Sequence, residues 1–211
     1  MKKLIVYLFT AFCFILLINS VSGLTISEKT AGTRELNDPT IGNRNAPITM
    51  TWYVDYQGPF DARFYLNTFP LIEKEYIKTG KVKIIVKDFP LSFHINSKQA
   101  SRAANCANEQ GVYKEYITKI FESREKWIDS RNVDSEFESL YKEVTQRNLD
   151  TFKRCLKSSK YNSEIDSDIG EGNKQGVSGV PTFFLTRGDK TVQIIGAQPF
   201  VKFEEEIESL S

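Results

Sequence analysis

Residues 48–89 limit the fold most tightly, because they hold the pattern of a strand, a helix and a second strand in direct succession. Residues 48–54 (ITMTWYV) are rich in β-branched and aromatic side chains, which favour a buried strand. Gly58-Pro59 interrupts this run, and apolar residues then recur at helical spacing as far as Thr79-Gly80. Residues 81–89 (KVKIIVKDF) have an apolar middle and predict the second strand. A helix of this length between two strands predicts a parallel pair joined by a βαβ crossover.

The middle of the chain is helical in pattern and its end returns to strands. Residues 97–175 show apolar side chains at helical intervals, which predicts several short helices. Strand patterns return at residues 182–186 and 191–195, and Arg187-Gly188-Asp189 between them predicts a tight hairpin turn. An amphipathic helix is predicted over residues 200–210. This order is the thioredoxin arrangement, so we predict an α/β, thioredoxin-like fold with an all-α insertion.

The first 45 residues differ from the rest of the chain. Lys2 and Lys3 precede an uncharged apolar run over residues 4–18, and small residues follow at 21–23, which is the plan of a secretory signal. The run is shorter than the roughly 20 residues that a membrane-spanning helix prefers, and an uncleaved anchor is the alternative. The organisation predicted is a signal peptide (1–23), a tether and lead-in (24–45), a thioredoxin-like domain (46–96 and 176–211) and an inserted helical domain (97–175).

Composition and the predicted signal exclude several classes of function. With 28 Lys and Arg against 27 Asp and Glu, the chain has no strong basic field, so no nucleic-acid partner is expected. Three Cys and one His are too few for a common four-ligand zinc site, and we expect no metal and no cofactor. The predicted location is the periplasm, the cell envelope or the extracellular space. Membrane contact is expected only through the signal segment, if it is not cleaved.

Residues 52–64 (WYVDYQGPFDARF) resemble the strand-to-helix turn of the DsbA-like thiol–disulfide oxidoreductases. The resemblance implies the thioredoxin fold with an inserted helical domain, and it implies disulfide chemistry. Further matching stretches lie in order along nearly all of the chain that follows the signal: residues 38–49, 81–97, 100–116, 155–161 and 176–185.

The departure from the family falls at the reacting positions. Gly58 and Asp61 stand where the family carries its two active-site cysteines, on either side of Pro59-Phe60. Disulfide exchange needs a thiolate to attack and a second thiol to resolve the mixed disulfide, so we predict that the dithiol reaction is lost and that no catalytic residue remains. One interpretation is an ordinary helix start, with Gly58 as N-cap, Pro59 first, and Asp61 contributing about 0.3–1 kcal/mol with the helix dipole. The other is that Asp61 and the free amides bind a cation, a water or a peptide group.

The resemblance also implies a peptide groove. Val180-Pro181 occupies the place of the family's cis proline, which faces the active-site turn. Together with Pro59 and Phe60, and with Trp52 nearby, this pair is expected to form the floor of a groove that binds an extended chain by strand-like pairing.

Cys106 and Cys155 are the two cysteines left after removal of the signal, and an even pair outside the cytosol favours a bridge. The resemblance also implies a bridge, because similarly placed cysteines pair in many members of the family. Such a bridge would contribute about 4 kcal/mol by closing a loop of about 50 residues. Two buried free thiols and a relocated redox pair are the alternatives.

His94 is expected at a surface or edge, with Asp61 as its one nearby candidate for a shared metal. Asp55 is expected to be partly buried, with no thiol whose protonation it could affect.

Three functions follow as hypotheses. The first is an exported module without catalysis that binds extended or unfolded polypeptide, or one envelope protein, as a chaperone would. The second is a thiol–disulfide oxidoreductase that uses Cys106 and Cys155 or a partner's thiols. The third is a structural scaffold subunit, which an exposed aromatic patch around Trp52, Tyr53 and Phe60 would favour.

Overall fold

The computed structural model describes residues 38–211, so the predicted signal peptide and residues 24–37 of the predicted tether lie outside the described residues. Five strands form one mixed sheet in the order β1-β3-β2-β4-β5. Strands β2 and β3 are parallel, and the other neighbours are antiparallel. The strands are β1 (Thr40–Ile41), β2 (Ile48–Val54), β3 (Val82–Asp88), β4 (Thr182–Arg187) and β5 (Lys190–Ile195).

The crossover from β2 to β3 is one long helix, α1, over residues 59–77. It alternates between α and π geometry in four pieces: Pro59–Arg63, Phe64–Thr68, Phe69–Ile72 and Glu73–Ile77. Pro70 accounts for the first irregular stretch, because it has no N–H to donate and its ring crowds the carbonyl one turn earlier.

A helical insertion joins β3 to β4, and one further helix closes the chain. These helices are α2 (Ser97–Glu109), α3 (Tyr113–Glu122), α4 (Arg124–Trp127), α5 (Val133–Val144), α6 (Leu149–Lys157), α7 (Asn162–Lys174) and α8 (Phe200–Ser209). The predicted α/β, thioredoxin-like fold with an all-α insertion is confirmed.

Strand β1 corrects the predicted lead-in. Residues 24–45 were predicted as a tether and lead-in, but Thr40 and Ile41 pair with Ile85 and Ile84 of β3. Two residues carry no periodicity that a sequence pattern could show. Only the exposed edge of β3 creates this strand, because its backbone groups need partners.

The sheet and the insertion share one apolar core centred on Trp52. Its ring lies 5.2 Å from that of Phe64 in α1, and 6.1 Å from those of Phe121 in α3 and Phe183 in β4. Aromatic side chains are large and rigid, so this cluster holds α1 and α3 firmly against β2. Among residues 38–211, no helix is both long enough and apolar enough to cross a bilayer.

Candidate functional site

The turn from β2 into α1 forms the centre of the candidate site. The Gly58 N–H donates to the Asp55 carbonyl at 2.9 Å, and the Ala62 N–H donates to the Gly58 carbonyl at 3.1 Å. Gly58 is the extended N-cap residue and Pro59 follows as the first helical residue, as predicted. A helix therefore begins directly at the carboxyl end of β2.

Asp61 is fully buried under this turn, and this corrects the prediction of an ionised acid at the helix start. The Trp52 Nε1–H donates to Asp61 Oδ1 at 3.3 Å, while Oδ2 has no hydrogen-bond partner among the described residues. Burial, and next the negative charge of Asp55, hold the pKa of the Asp61 carboxyl well above its ordinary value of 3.8. Because ionisation is disfavoured, the predicted gain from the helix dipole does not apply. The carboxyl also offers no exposed oxygen to a surface cation.

Gly58 and Asp61 fit each other sterically. A Cβ atom added to Gly58 would lie 2.5 Å from Asp61 Oδ2 and 3.0 Å from the Asp55 carbonyl oxygen. The Asp61 side chain therefore fills the space that any side chain at position 58 would enter. Positions 58 and 61 therefore form one packing unit.

Asp55 has the most hydrogen-bond partners in the site, and it is completely buried rather than partly buried as expected. Its side chain is fully buried, and both oxygens accept two hydrogen bonds each. Oδ1 accepts from the Gln57 N–H at 2.8 Å and from the Ser97 hydroxyl. Oδ2 accepts from the Leu91 N–H at 2.9 Å and from His94 Nδ1 at 2.7 Å. The carboxylate thus joins the turn, the loop after β3 and the start of α2.

His94 pairs with Asp55 rather than with Asp61, so the partner considered for it from the sequence was wrong. The predicted topology contained an indication that Asp55 and His94 lie close together. The carboxyl ends of parallel strands meet at one edge of a sheet, and Asp55 follows β2 while His94 follows β3. No group of three or more His, Cys, Asp or Glu side chains within residues 38–211 is arranged to hold a metal ion.

The loop over residues 91–96 is held firmly but displays two large apolar side chains. The Asn96 N–H donates to Gln57 Oε1 at 2.8 Å, and the Asn96 amide donates to three backbone carbonyls of residues 127–130. Phe93 is nevertheless 72% exposed and Ile95 is 74% exposed. Neither residue belongs to a sequence motif that predicts a functional site.

The predicted groove residues fall into two groups. Pro59 and Phe60 are exposed on the first turn of α1, and the Arg63 guanidinium lies 5.0 Å from the Phe60 ring centre. The Val180-Pro181 bond is cis, as predicted, with Val180 half-buried and Pro181 buried. The register of β2 and β4 brings both groups to the same sheet edge, since Tyr53 pairs with Thr182.

Two aromatic residues expected at this surface are absent from it. Trp52 and Tyr53 are both fully buried, one on each face of β2. They neither line a groove nor form an exposed patch with Phe60. The exposed patch that would favour a structural scaffold subunit is therefore not formed by these residues.

Cys106 and Cys155 form a disulfide that joins α2 to α6, with their Cα atoms 5.8 Å apart. Both residues are buried. Cys106 lies nine residues after Ser97 in α2, which is about 13 Å along the helix. The bridge therefore belongs to the packing of the insertion rather than to the turn at Gly58.

Comparisons with known proteins place the chain in a family. A family model described as Thioredoxin matches residues 34–198. Disulfide bond formation protein D of Bacillus subtilis is 28% identical over 163 residues, covering 74% of this chain and 69% of that protein. A putative protein-disulfide oxidoreductase of Rickettsia felis is 24% identical over 156 residues, and the chain spans 53% of its length.

Solved structures of related proteins have the same fold. The crystal structure of Wolbachia pipientis α-DsbA1 has 28% identity and a TM-score of 0.70, covering 84% of this chain and 94% of that chain. Oxidised BdbD of Bacillus subtilis has a TM-score of 0.72 at 22% identity, which shows the shared fold.

Proposed function

This chain belongs to the DsbA-like proteins of the thioredoxin family, and we propose that it is an envelope module that binds extended polypeptide without dithiol catalysis. The most direct support is that a cis proline, an exposed aromatic residue and two residues without sulfur occur together where β2 ends and β4 begins. The loop before β4 has the cis Val180-Pro181 bond and the start of α1 exposes Phe60, while Gly58 and Asp61 provide no sulfur.

The chemistry of the turn supports the loss of catalysis. Exchange requires a sulfur nucleophile at the helix start and a second thiol within reach. Gly58 has no side chain, and the Asp61 carboxyl is buried with a raised pKa. The two cysteines within residues 38–211 are already joined to each other in the insertion.

The exposed apolar side chains support a binding role. Phe60 at the start of α1 and Phe93 and Ile95 in the neighbouring loop are each more than half exposed. Covering one such side chain fully contributes about 1.5–3 kcal/mol, so a partner that buries them would bind with useful affinity. An extended chain can do so and also pair with the backbone of the loop at Val180, which precedes β4.

The disulfide supports the proposed location, because it requires an oxidising compartment. Disulfides persist in the periplasm and outside the cell and are rare in the cytosol. The Cys106–Cys155 bridge and the signal-like first 23 residues agree on export.

Titration calorimetry against a reduced, alkylated and permanently unfolded polypeptide tests the proposal. We expect saturable binding that Phe60→Ala weakens about 10-fold, because the lost apolar contact is worth more than 1 kcal/mol. Pro181→Ala should also weaken binding by altering the loop before β4. Leu71→Ala is the matched control, since Leu71 is 45% exposed on the same helix but three turns further along. Absence of saturable binding, or equal effects of all three variants, would contradict the proposal.

A second candidate is thiol–disulfide exchange, which is favoured by the names of the relatives. It predicts thiol-dependent turnover that disappears in Cys106→Ser. The burial of both sulfur-bearing residues opposes this candidate, because an attacking thiolate must reach one of the sulfur atoms.

A further inference from the structure

The hydrogen bonds to Asp55 determine which nitrogen of His94 carries the proton. The backbone N–H groups of Gln57 and Leu91 can only donate, and each occupies one oxygen of the carboxylate. Ser97 and His94 fill the remaining positions, which is the arrangement of an ionised acceptor. His94 Nδ1 therefore donates its hydrogen to Asp55, and in the neutral ring Nε2 keeps a free lone pair.

This lone pair has no partner within residues 38–211. The one side-chain hydrogen bond of His94 is the bond from Nδ1 to Asp55, and its side chain is 18% exposed. Nε2 is thus a hydrogen-bond acceptor that the described part of the chain leaves for water or a ligand.

Exposed apolar residues precede and follow His94 in the chain, and the Phe93 ring contacts the imidazole. Phe93 and Ile95 flank His94 along the chain, and the Phe93 and His94 ring centres are 4.6 Å apart. The loop is fixed at both ends, because the Leu91 N–H is bound to Asp55 and the Asn96 N–H is bound to Gln57. A partner would therefore meet a preorganised apolar surface with one polar atom in it.

We propose that His94 Nε2 selects polypeptide segments that carry a hydroxyl side chain next to large apolar residues. The occupant follows from complementarity, since the ring nitrogen needs a hydrogen-bond donor and the exposed Phe93 and Ile95 side chains need apolar contacts. Serine or threonine beside leucine or phenylalanine meets this requirement. The inference rests on the proposed function and adds a rule of specificity to it.

Two peptides that differ in one side chain test the proposed preference for a hydroxyl group. They share a Gly-Phe-X-Leu-Gly core, with Ser or Ala as X. Calorimetry with the wild-type protein should show about 5- to 10-fold tighter binding of the Ser peptide, which corresponds to about 1–1.4 kcal/mol.

Two variants separate the acceptor from its support. His94→Asn keeps an N–H donor near the position of Nδ1 and removes Nε2, so both peptides should bind with the affinity of the Ala peptide for the wild type. Ser97→Ala is the matched control, because it removes another hydrogen bond to Asp55 but leaves Nε2 in place. It should keep the preference for Ser.

A spectroscopic measurement needs no variant. His94 is the single histidine of the chain, so ¹⁵N-histidine labelling of the untagged protein gives one pair of ring signals. We expect a protonated Nδ1 and a bare Nε2, and only the Ser peptide should shift the Nε2 signal on binding.

The opposite tautomer, or equal affinity for the two peptides, would overturn the inference while leaving polypeptide binding intact. Failure of both peptides and of the unfolded polypeptide to bind would instead overturn the proposed function, and the inference with it.

Discussion

Gly58 and Asp61 illustrate how strongly two residues at the start of a helix can depend on each other. The Asp61 carboxyl is buried beneath Gly58, and a Cβ at position 58 would come within 2.5 Å of Asp61 Oδ2. Tight cores tolerate added atoms poorly, so neither position can be changed to a larger residue independently. A cysteine introduced at position 58 would meet the same obstacle.

We predict that Gly58→Ala lowers the free energy of unfolding by about 1–3 kcal/mol, because the new methyl group is forced against the Asp61 carboxyl. In an Asp61→Ala background the same change should cost much less. The double variant should therefore lose about 0.5–3 kcal/mol less stability than the sum of the two single variants. Urea unfolding of the wild type, both single variants and the double variant measures the cycle. Strictly additive costs would show that the two side-chain positions do not meet.

At the scale of elements, α2 connects the candidate site to the insertion. Ser97 at its start donates to Asp55, Asn105 donates to Asp88 at the end of β3, and Cys106 is bonded to α6. The apolar residues of its buried face add to this attachment. The position of α2 therefore sets the shape of the site, and the disulfide holds α2 in place from the far side.

Removing the bridge tests this role. We predict that Cys106→Ala/Cys155→Ala lowers the free energy of unfolding by about 4 kcal/mol in the chain-entropy model, because the unfolded chain loses a cross-link across about 50 residues. In the folded wild type the bridge should resist mild reductant, as intact mass after alkylation would show. Alkylation of both cysteines without unfolding would identify the bridge as a displaced redox centre instead.

At the scale of the whole molecule, a buried polar network joins distant parts of the chain. Lys87 in β3 contacts Asp38 at 2.5 Å and Asp168 of α7 at 3.3 Å. Its neighbour Asp88 accepts from Asn105 of α2 at 2.6 Å, and the Asp88 N–H donates to Asp168 at 3.1 Å. Burial first, and then the charge of Asp168, raise the pKa of Asp88 from 3.8 to about 7.

This raised pKa predicts how stability changes with pH. Because the pKa of Asp88 is higher in the folded state, its contribution is fully present below about pH 4 and is lost as pH rises towards about pH 7. Asp88→Asn keeps an acceptor for Asn105 but cannot titrate. Unfolding measured from about pH 5 to about pH 8 should show the wild type losing up to about 1.4 kcal/mol per pH unit relative to the variant. Parallel profiles would contradict the assignment.

Local pattern was sufficient wherever an element depends on its own residues. Runs of β-branched residues predict the strands at residues 48–54 and 82–88. The backbone preferences of Gly58 and Pro59 predict the helix start. Strand β1 could not be predicted, because two residues become a strand only when the edge of β3 is present.

The sequence by itself determined the order of the elements, the thioredoxin-like arrangement and the absence of sulfur at positions 58 and 61, because these depend on residue type and local spacing. Only the tertiary structure decided that Asp61 is buried, that His94 pairs with Asp55, and that Trp52 is in the core. Burial and hydrogen-bond partners arise from contacts between residues far apart in the chain. A one-dimensional pattern contains no such distances, so the electrostatic state of the site emerges only when β2, β3 and α2 meet.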